Sequence, residues 1–493
     1  MASFPGDCRL IRCDVGQVAP IDVLPNDVLL AIFDFYVFKY QDLVLLAFGG
    51  HDTKRKIESW QSLAHVCRRW RGLVLGSPRR LNLQLFCIPG TRTRKALDIW
   101  PALPLLIQGG VTETSVDNVI AELEYSDRIC QINLNCHTTS QIEKLWTAME
   151  APFPKLAVLS MSFGGSLYVP VLPDSFLGGS ASRLRYLALT SIPFPGLPKL
   201  LLSAAHLVNL WLINIPHSGY ISPETMANCL SMLTSLNTLQ LEFESPQSGP
   251  DLKSRCPFRR TRSVLHTLTT FWFKGVNEYL EDLVARIDAP RIHQLSITFF
   301  SDIEFDTPEL VRFMIRSSTL KAPNEAHVVF DSHITWVNFQ SQAPNLKYFE
   351  IKVSCREPDW QLSSLAQICT SSLSLLSTTE NLLIYEPVDS QVCWKDGIKN
   401  IEWLELLLPF TAVKNLYLSK QFAPRIAPAL QEITGDRTTE VLPTLQNLYL
   451  EGLQPSEFVQ GIGQFISARQ LINCPVSVLI WERYPEERPL EVD

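Results

Sequence analysis

The sequence predicts an α/β chain in two parts: a helical N-terminal region, then an irregular solenoid of parallel strands with helices on its convex side. Three observations carry this. Two blocks of helical period lie within residues 21–80; a Leu-x-x-Leu-x-Leu pattern recurs along most of the chain beyond them; and segments of helical period stand between its copies. With 46% hydrophobic and 19% charged residues the chain has the composition of a folded protein, and its 493 residues suffice for a large core. The expected organisation is an arm at 1–19, a helical domain at 20–85, a connecting helical segment at 86–125, the repeat region at 126–482 and a tail at 483–493.

The first block opens with Pro25, suited to the first helical position, and Asp27, whose charge favours the positively polarised first turn. Val28, Leu29, Ile32, Phe33 and Tyr36 then recur at spacings of three and four, and Leu63, Val66, Cys67, Trp70 and Leu73 do the same in the second block. Two short amphipathic helices on so small a segment bury little surface, so a partner or a larger body is expected to cover them.

In order and residue type, Leu24-Pro25, Ile32-Phe33 and Val66-Cys67-x-x-Trp70 resemble the two ends of an F-box. The likeness continues through Gly76–Leu83, as in many fungal proteins of this kind, and covers about 60 of the 493 residues. The resemblance implies a Skp-type adaptor and, through it, a cullin-RING (SCF-type) ubiquitin ligase as partners. It also implies that Leu24, Pro25, Ile32, Phe33, Val66, Cys67 and Trp70 touch the adaptor or hold the helices together. Residues 39–59 depart from the family, being longer than its usual connection and basic from His51 to Lys56.

Clear copies of the second pattern are Leu184-x-x-Leu187-x-Leu189, Leu207-x-x-Leu210-x-Leu212, Leu236-x-x-Leu239-x-Leu241, Leu268-x-x-Phe271-x-Phe273 and Leu445-x-x-Leu448-x-Leu450. Variants start at Ile129, Leu156, Ile292, Leu346 and Val413, and the two longest gaps leave room for degenerate units around Val328 and Leu382. Helical period returns between them, in Ile142/Leu145/Trp146/Met149, Met226/Cys229/Leu230/Leu233, Leu280/Leu283/Val284/Ile287, Leu362/Leu365/Ile368/Cys369 and Phe458/Ile462/Phe465/Ile466. Strand then helix, repeated, resembles a leucine-rich-repeat horseshoe. The family's Asn or Cys after the last leucine is replaced by Ile192, Ile215, Val276 and Leu453, so no asparagine ladder is expected there. An ordinary α/β domain with a parallel sheet suits the same alternation.

Residues alternating with the leucines must leave the core. They include Tyr186, Asn209, Trp211, Gln240, Glu242, Trp272, Lys274, Tyr348, Glu350, Tyr417, Tyr449 and Glu451. With strands about 4.8 Å apart, ten such rows span roughly 45 Å, a surface scaled to a protein segment. Its aromatics Tyr186, Trp211, Trp272, Tyr348, Tyr417 and Tyr449 are the candidate substrate-binding residues, since large aromatics anchor protein interfaces.

Other classes find little footing. A net charge of −7 speaks against general nucleic-acid or membrane-surface binding, and the excess of eight Lys or Arg over one Glu within 54–80 suits phosphates or, the preferred reading beside a partner-binding helix pair, an acidic protein surface. No apolar run approaches the roughly 20 residues of a membrane span. The twelve cysteines form no Cys-x-x-Cys pair, and neither Cys8 with Cys13 nor Cys130, Cys136 and His137 completes a zinc set, so buried thiols, no metal and no cofactor are expected. No Gly-rich phosphate loop, His-Glu-x-x-His or Gly-x-Ser-x-Gly occurs, leaving a hydrolase or transferase without a residue set. Taken with the resemblance to an F-box, which implies the substrate receptor of such a ligase, the expectation is an intracellular receptor, cytoplasmic or nuclear, with an unknown protein client. The alternative is a non-ligase scaffold that uses the same repeat surface.

Overall fold

The computed structural model describes residues 20–46, 59–89, 103–165, 170–194, 197–246, 262–300, 307–317, 323–340, 348–354, 358–371, 376–387, 399–433, 440–452 and 462–482. The expected arm at 1–19, most of the 39–59 connection and the tail at 483–493 lie outside the described residues. The chain divides into two compact units, carrying in the main Met1–Cys87 with Thr93–Leu106, and Ile107–Leu490.

The first unit holds α1 (Asn26–Leu46), α2 (Ser59–Val66), α3 (Arg68–Gly76) and the short β1 (Leu85–Cys87). Helix α1 begins just after Pro25, with Asp27 in its first turn, as charge and backbone preference dictate. Its single expected apolar face proves to be two: Leu29, Leu30, Phe33 and Val37 are buried, whereas Val28, Ile32 and Phe35 are exposed. The second block, expected as one continuous helix, is broken at Cys67. That residue is extended (φ −154°, ψ 171°) and its Sγ accepts a hydrogen bond from the Trp70 N–H at 3.4 Å, capping α3. Arg69 of α3 reaches the start of α1, donating to the Leu24 carbonyl at 2.5 Å and to Asn26 Oδ1 at 2.8 Å. Phe33 and Trp70 lock the same pair, with ring centroids 4.7 Å apart.

The sheet of the second unit begins with β2 (Leu105–Gly110), α4 (Val116–Leu123), β3 (Ile129–Cys136), α5 (Thr139–Ala148), β4 (Val158–Phe163) and β5 (Tyr186–Thr190). It continues through α6 (Leu197–Ser203), β6 (Asn209–Ile215), α7 (Pro223–Met232), β7 (Thr238–Phe243), β8 (Ser263–Val264), β9 (Thr270–Gly275) and α8 (Asn277–Val284). Next come β10 (Ile287–Asp288), β11 (Gln294–Phe300), α9 (Pro308–Arg316), β12 (Glu325–Phe330), β13 (Ile334–Gln340), β14 (Tyr348–Ser354) and α10 (Pro358–Ser371). The last are β15 (Asn381–Tyr385), α11 (Asn400–Leu407), β16 (Asn415–Leu418), α12 (Ala423–Gln431), β17 (Asn447–Glu451), α13 (Gly463–Leu471) and β18 (Ser477–Trp481). Residues 86–125, expected as a helical connection, thus hold the strand β2 as well as a helix, and the sheet starts before residue 126.

From β2 onward the large sheet runs β2-β3-β4-β5-β6-β7-β9-β11-β14-β13-β12-β15-β16-β17-β18, while β8 and β10 form a separate parallel pair. The fold is α/β and the sheet mostly parallel, with helices supplying the crossovers that parallel neighbours need. The repeat leucines explain the packing. Every apolar position of the five clear copies, from Leu184 to Leu450, is at most 2% exposed, and the residues between them reach the outer face.

One strand breaks the rule: β13 runs antiparallel to both β12 and β14. From β11 the chain skips two places to β12, returns through β13 to β14 beside β11, then crosses again to β15 beside β12. The reversal is made by Asp331-Ser332-His333, where Asp331 Oδ1 accepts the Ser332 N–H at 2.6 Å. Side chains also tie strand to strand. Asn415 Nδ2 donates to Asn381 Oδ1 and Asn447 Nδ2 to Asn415 Oδ1, each at 2.8 Å, making an asparagine ladder at the first residue of β15, β16 and β17. The Thr267 hydroxyl lies 2.9 and 2.8 Å from the carbonyls of Thr234 and Leu236, and Thr444 repeats the device 3.1 and 3.0 Å from those of Thr411 and Val413. Asn415→Leu, which removes both rungs of the ladder, is expected to lower stability by about 1–3 kcal/mol. Urea unfolding followed by tryptophan fluorescence measures this, and an unchanged midpoint would mean that the ladder contributes nothing.

Candidate functional site

Two surfaces, one in each unit, gather the residues singled out from the sequence. In the first unit Ile32 and Val66 stand in solvent, 44% and 59% exposed, and Phe35 of α1 joins them at 74%. Val28, Ile32 and Phe35 follow one another at four and three residues, so they share one side of α1. Pro25 is exposed beside the helix start, and Leu24, Cys67 and Trp70 are half-buried. Phe33 is different: it is fully buried, against Trp70. The seven residues therefore sort into surface positions (Pro25, Ile32, Val66) and those that fix the helices (Phe33, Trp70, Cys67 through its cap, and Leu24 through its carbonyl, which accepts from Arg69). Isolated apolar residues on a surface need no explanation, but several on so small a unit form a patch.

In the second unit the outer face of the sheet carries two aromatic rows, one on β5, β6 and β9 and one on β16, β17 and β18 at the last edge. The Tyr186 and Trp211 rings meet edge to face at 5.3 Å, and Trp272 lies 6.1 Å beyond Trp211, across Gln240 in the ladder. Burial in this row pushes the Tyr186 phenol up to about 12. The Trp211 Nε1–H is shielded from solvent without an acceptor among the described residues. Further along, the rings of Tyr417 and Tyr449 stack at 4.3 Å and 7°, with Trp481 edge-on at 5.4 Å. Burial, with Tyr449 as neighbour, raises the Tyr417 phenol. Tyr348 opens β14 in register with Gln294 and Gln340, and its side chain lies outside the described residues.

Between these rows, the reversed strand brings together residues that the repeat pattern does not mark. Glu350 is only 3% exposed, and its Oε2 accepts from Ser296 Oγ at 3.1 Å and pairs with Lys352 Nζ at 2.9 Å. A carboxylate so deeply placed is tolerable only because it is paired and hydrogen-bonded. Lys352 in turn lies over the Trp336 ring at 6.0 Å. Asn338, opposite Glu350 in the ladder, is buried. His327 bridges Glu325 (Nε2 to Oε1, 2.6 Å) and the Tyr385 hydroxyl (Nδ1 to O, 3.1 Å). Trp336, Asn338, His327, Tyr385 and Trp481 are absent from the sequence-derived set. The signal for three of them was present in two runs of period two, Glu325–Phe330 and Ile334–Gln340, separated by a short polar turn that reads as a hairpin.

Among the described residues no group of three or more His, Cys, Asp or Glu is placed to hold a metal ion, and no helix is long and apolar enough to cross a membrane. The buried thiols are poor nucleophiles, because burial pushes Cys136 and Cys369 up to about 12 and Cys229 to about 11. The chain matches no known protein family, and no curated protein matches it in sequence.

The raised Tyr186 phenol has a consequence in alkali. Its folded pKa exceeds the unfolded value of 10, so its contribution to stability is complete below pH 10 and is lost as pH rises towards 12. Alkaline titration of phenolate absorbance is expected to show that Tyr186→Phe removes a phenol ionising near 12. Loss of one ionising near 10 instead would mean that water reaches the ring.

Proposed function

We propose that this chain is the substrate-receptor subunit of a cullin-RING (SCF-type) ubiquitin ligase, with its N-terminal helices as an F-box and its sheet as an irregular leucine-rich-repeat-like solenoid that holds a protein client. The single observation that carries the reading is the division of α1 into two apolar sides. One, through Phe33, closes on Trp70 within the unit; the other, Val28, Ile32 and Phe35, faces solvent together with Val66 of α2. Exposed apolar side chains on helices already packed together are what a partner helix covers. The motif order of Leu24-Pro25, Ile32-Phe33 and Val66-Cys67-x-x-Trp70 names that partner as a Skp-type adaptor.

The receptor's contribution is proximity. Holding a client beside a ubiquitin-charged enzyme raises the effective concentration of its lysines, with no acid, base or nucleophile required from this chain. The outer face of the sheet suits the client-holding role, since Tyr186, Trp211 and Trp272 in one row and Tyr417, Tyr449 and Trp481 in another offer large, stiff contact surfaces.

Co-expression with a Skp-type adaptor is expected to give a stable complex. Ile32→Asp with Val66→Asp should abolish it while leaving the melting temperature nearly unchanged, because both side chains stand in solvent. Phe33→Ala should instead destabilise the unit by about 3–5 kcal/mol, as a cavity left by a buried ring does. A wild-type chain that ignores the adaptor would overturn the ligase reading. Trp211→Ala with Trp272→Ala should keep the adaptor and weaken client capture in a pull-down; undiminished capture would remove the aromatic row from the client site.

A further inference from the structure

The turns that lead into β4, β5 and β6 carry Lys155, Arg183, Arg185 and His206, all exposed, around a pocket of about 470 Å³. Ser235, on the next turn, adds a hydroxyl, and no acidic side chain lines the pocket. No ion pair or side-chain hydrogen bond engages Lys155, Arg183, Arg185 or His206 among the described residues. The backbone holds their turns in register. The Arg185 N–H donates to the Ala157 carbonyl and the Val208 N–H to the Arg185 carbonyl, each at 2.8 Å. Three neighbouring strand entries at about 4.8 Å therefore place the cationic groups within roughly 10 Å of one another.

The same rung further along the sheet is treated differently. There the Lys414 N–H donates to the Glu380 carbonyl, and Lys414 Nζ meets Glu380 Oε1 at 2.7 Å, so the cation is neutralised across the turn. At the Arg185 rung the facing residue is Ala157, and the charge stands unanswered in a chain whose net charge is −7. Two guanidinium forks with an ammonium group match the several oxygens and near-double charge of a phosphoryl group better than a single carboxylate.

We propose that this pocket binds a phosphoryl group, with Arg183 and Arg185 as its bidentate donors, Lys155 as a point charge and Ser235 as a neutral donor. The group arrives either on a protein segment or as a small phosphate, and the assignment is independent of the ligase reading.

The test uses the full chain and a fluorescein-labelled Gly/Ser peptide carrying one phosphoserine. Its unphosphorylated twin serves as reference, and sodium phosphate and oligouridylate as competitors, with anisotropy as the readout. The phosphopeptide is expected to bind at least about ten-fold more tightly than its twin. Arg183→Ala with Arg185→Ala should erase the difference, Arg183→Lys with Arg185→Lys should retain part of it, and Lys414→Ala should leave it intact. Sodium phosphate competing as well as the phosphopeptide would identify a small phosphate as the ligand, and markedly weaker competition would identify a protein segment; both support the pocket. Equal binding of the two peptides, a preference that survives the double alanine change, or tighter binding of oligouridylate would overturn it.

Discussion

The whole second unit depends on strands being laid side by side in one register, so that every second residue of each strand points into the same core. Leu187, Leu210, Leu239, Phe271 and Leu295 occupy one such row across five successive strands, all buried. A slip of one residue in any strand would turn its apolar set outward, so the leucines fix register as much as they provide burial. Asparagine and threonine side chains act on the same constraint from the polar side. The Asn381–Asn415–Asn447 ladder and the shared hydroxyls of Thr267 and Thr444 each recognise the neighbouring turn at one alignment only.

This register decides what the outer face offers. Because inner positions are taken by leucine and phenylalanine, residues of any other type can accumulate outside without disturbing the core. On β5, β6 and β9, and again on β16 to β18, these are aromatics in contact with each other, which reduces the conformational freedom a partner would have to remove on binding. The strands between these two rows differ. Reversing β13 sets Glu350 opposite Asn338 and Asn338 opposite His327, so polar groups that a uniform parallel array would scatter are drawn into adjacent, buried places. Paired groups in such a setting interact more strongly than on open surface, and their geometry is correspondingly fixed.

How much of this was legible follows from what a period in sequence encodes. Alternation marks a strand and its faces, so the five clear leucine units and the helical stripes such as Ile142, Leu145, Trp146 and Met149 stand where the sequence places them, all buried. The weaker strands suggested around Val328 and Leu382 are present as β12 and β15. Alternation alone does not encode direction, because an antiparallel strand alternates in the same way as a parallel one; only the short polar turn at residues 331–333 marks the reversal, and a reading built on the leucine pattern passes over it, with β13 and the polar cluster it assembles. Neither is a helix break of one residue visible to periodicity. Cys67 fits the apolar spacing from Leu63 to Leu73 perfectly well, yet it acts as a cap, because its extended backbone and Sγ satisfy the Trp70 N–H. The ladder was sought after the last leucine, where Ile192 and Ile215 are buried instead, and it lies at the strand entry.

The first unit poses the opposite problem, since among the described residues its helices leave an apolar surplus unburied. Residues at 29, 33 and 37 of α1 face inward, and those at 28, 32 and 35 form a second stripe displaced around the axis, which no fold of so few helices can cover at the same time. Leaving Ile32, Phe35 and Val66 in water forgoes roughly 1.5–3 kcal/mol for each such side chain relative to burial. A polar residue at any of these places would serve solubility better, and the sequence shows no shortage of them elsewhere on the unit: Arg69 and Asn26 bind each other across α3 and α1, and Arg80 reaches Asp27 at 3.5 Å. The buried stripe holds the helices at a fixed angle through Phe33 and Trp70, and that rigidity is what makes the outer stripe a defined surface rather than a loose collection of side chains. Rigid presentation lowers the ordering cost of association, so a partner helix laid against Val28, Ile32 and Phe35 would recover most of the transfer free energy forgone by the free chain.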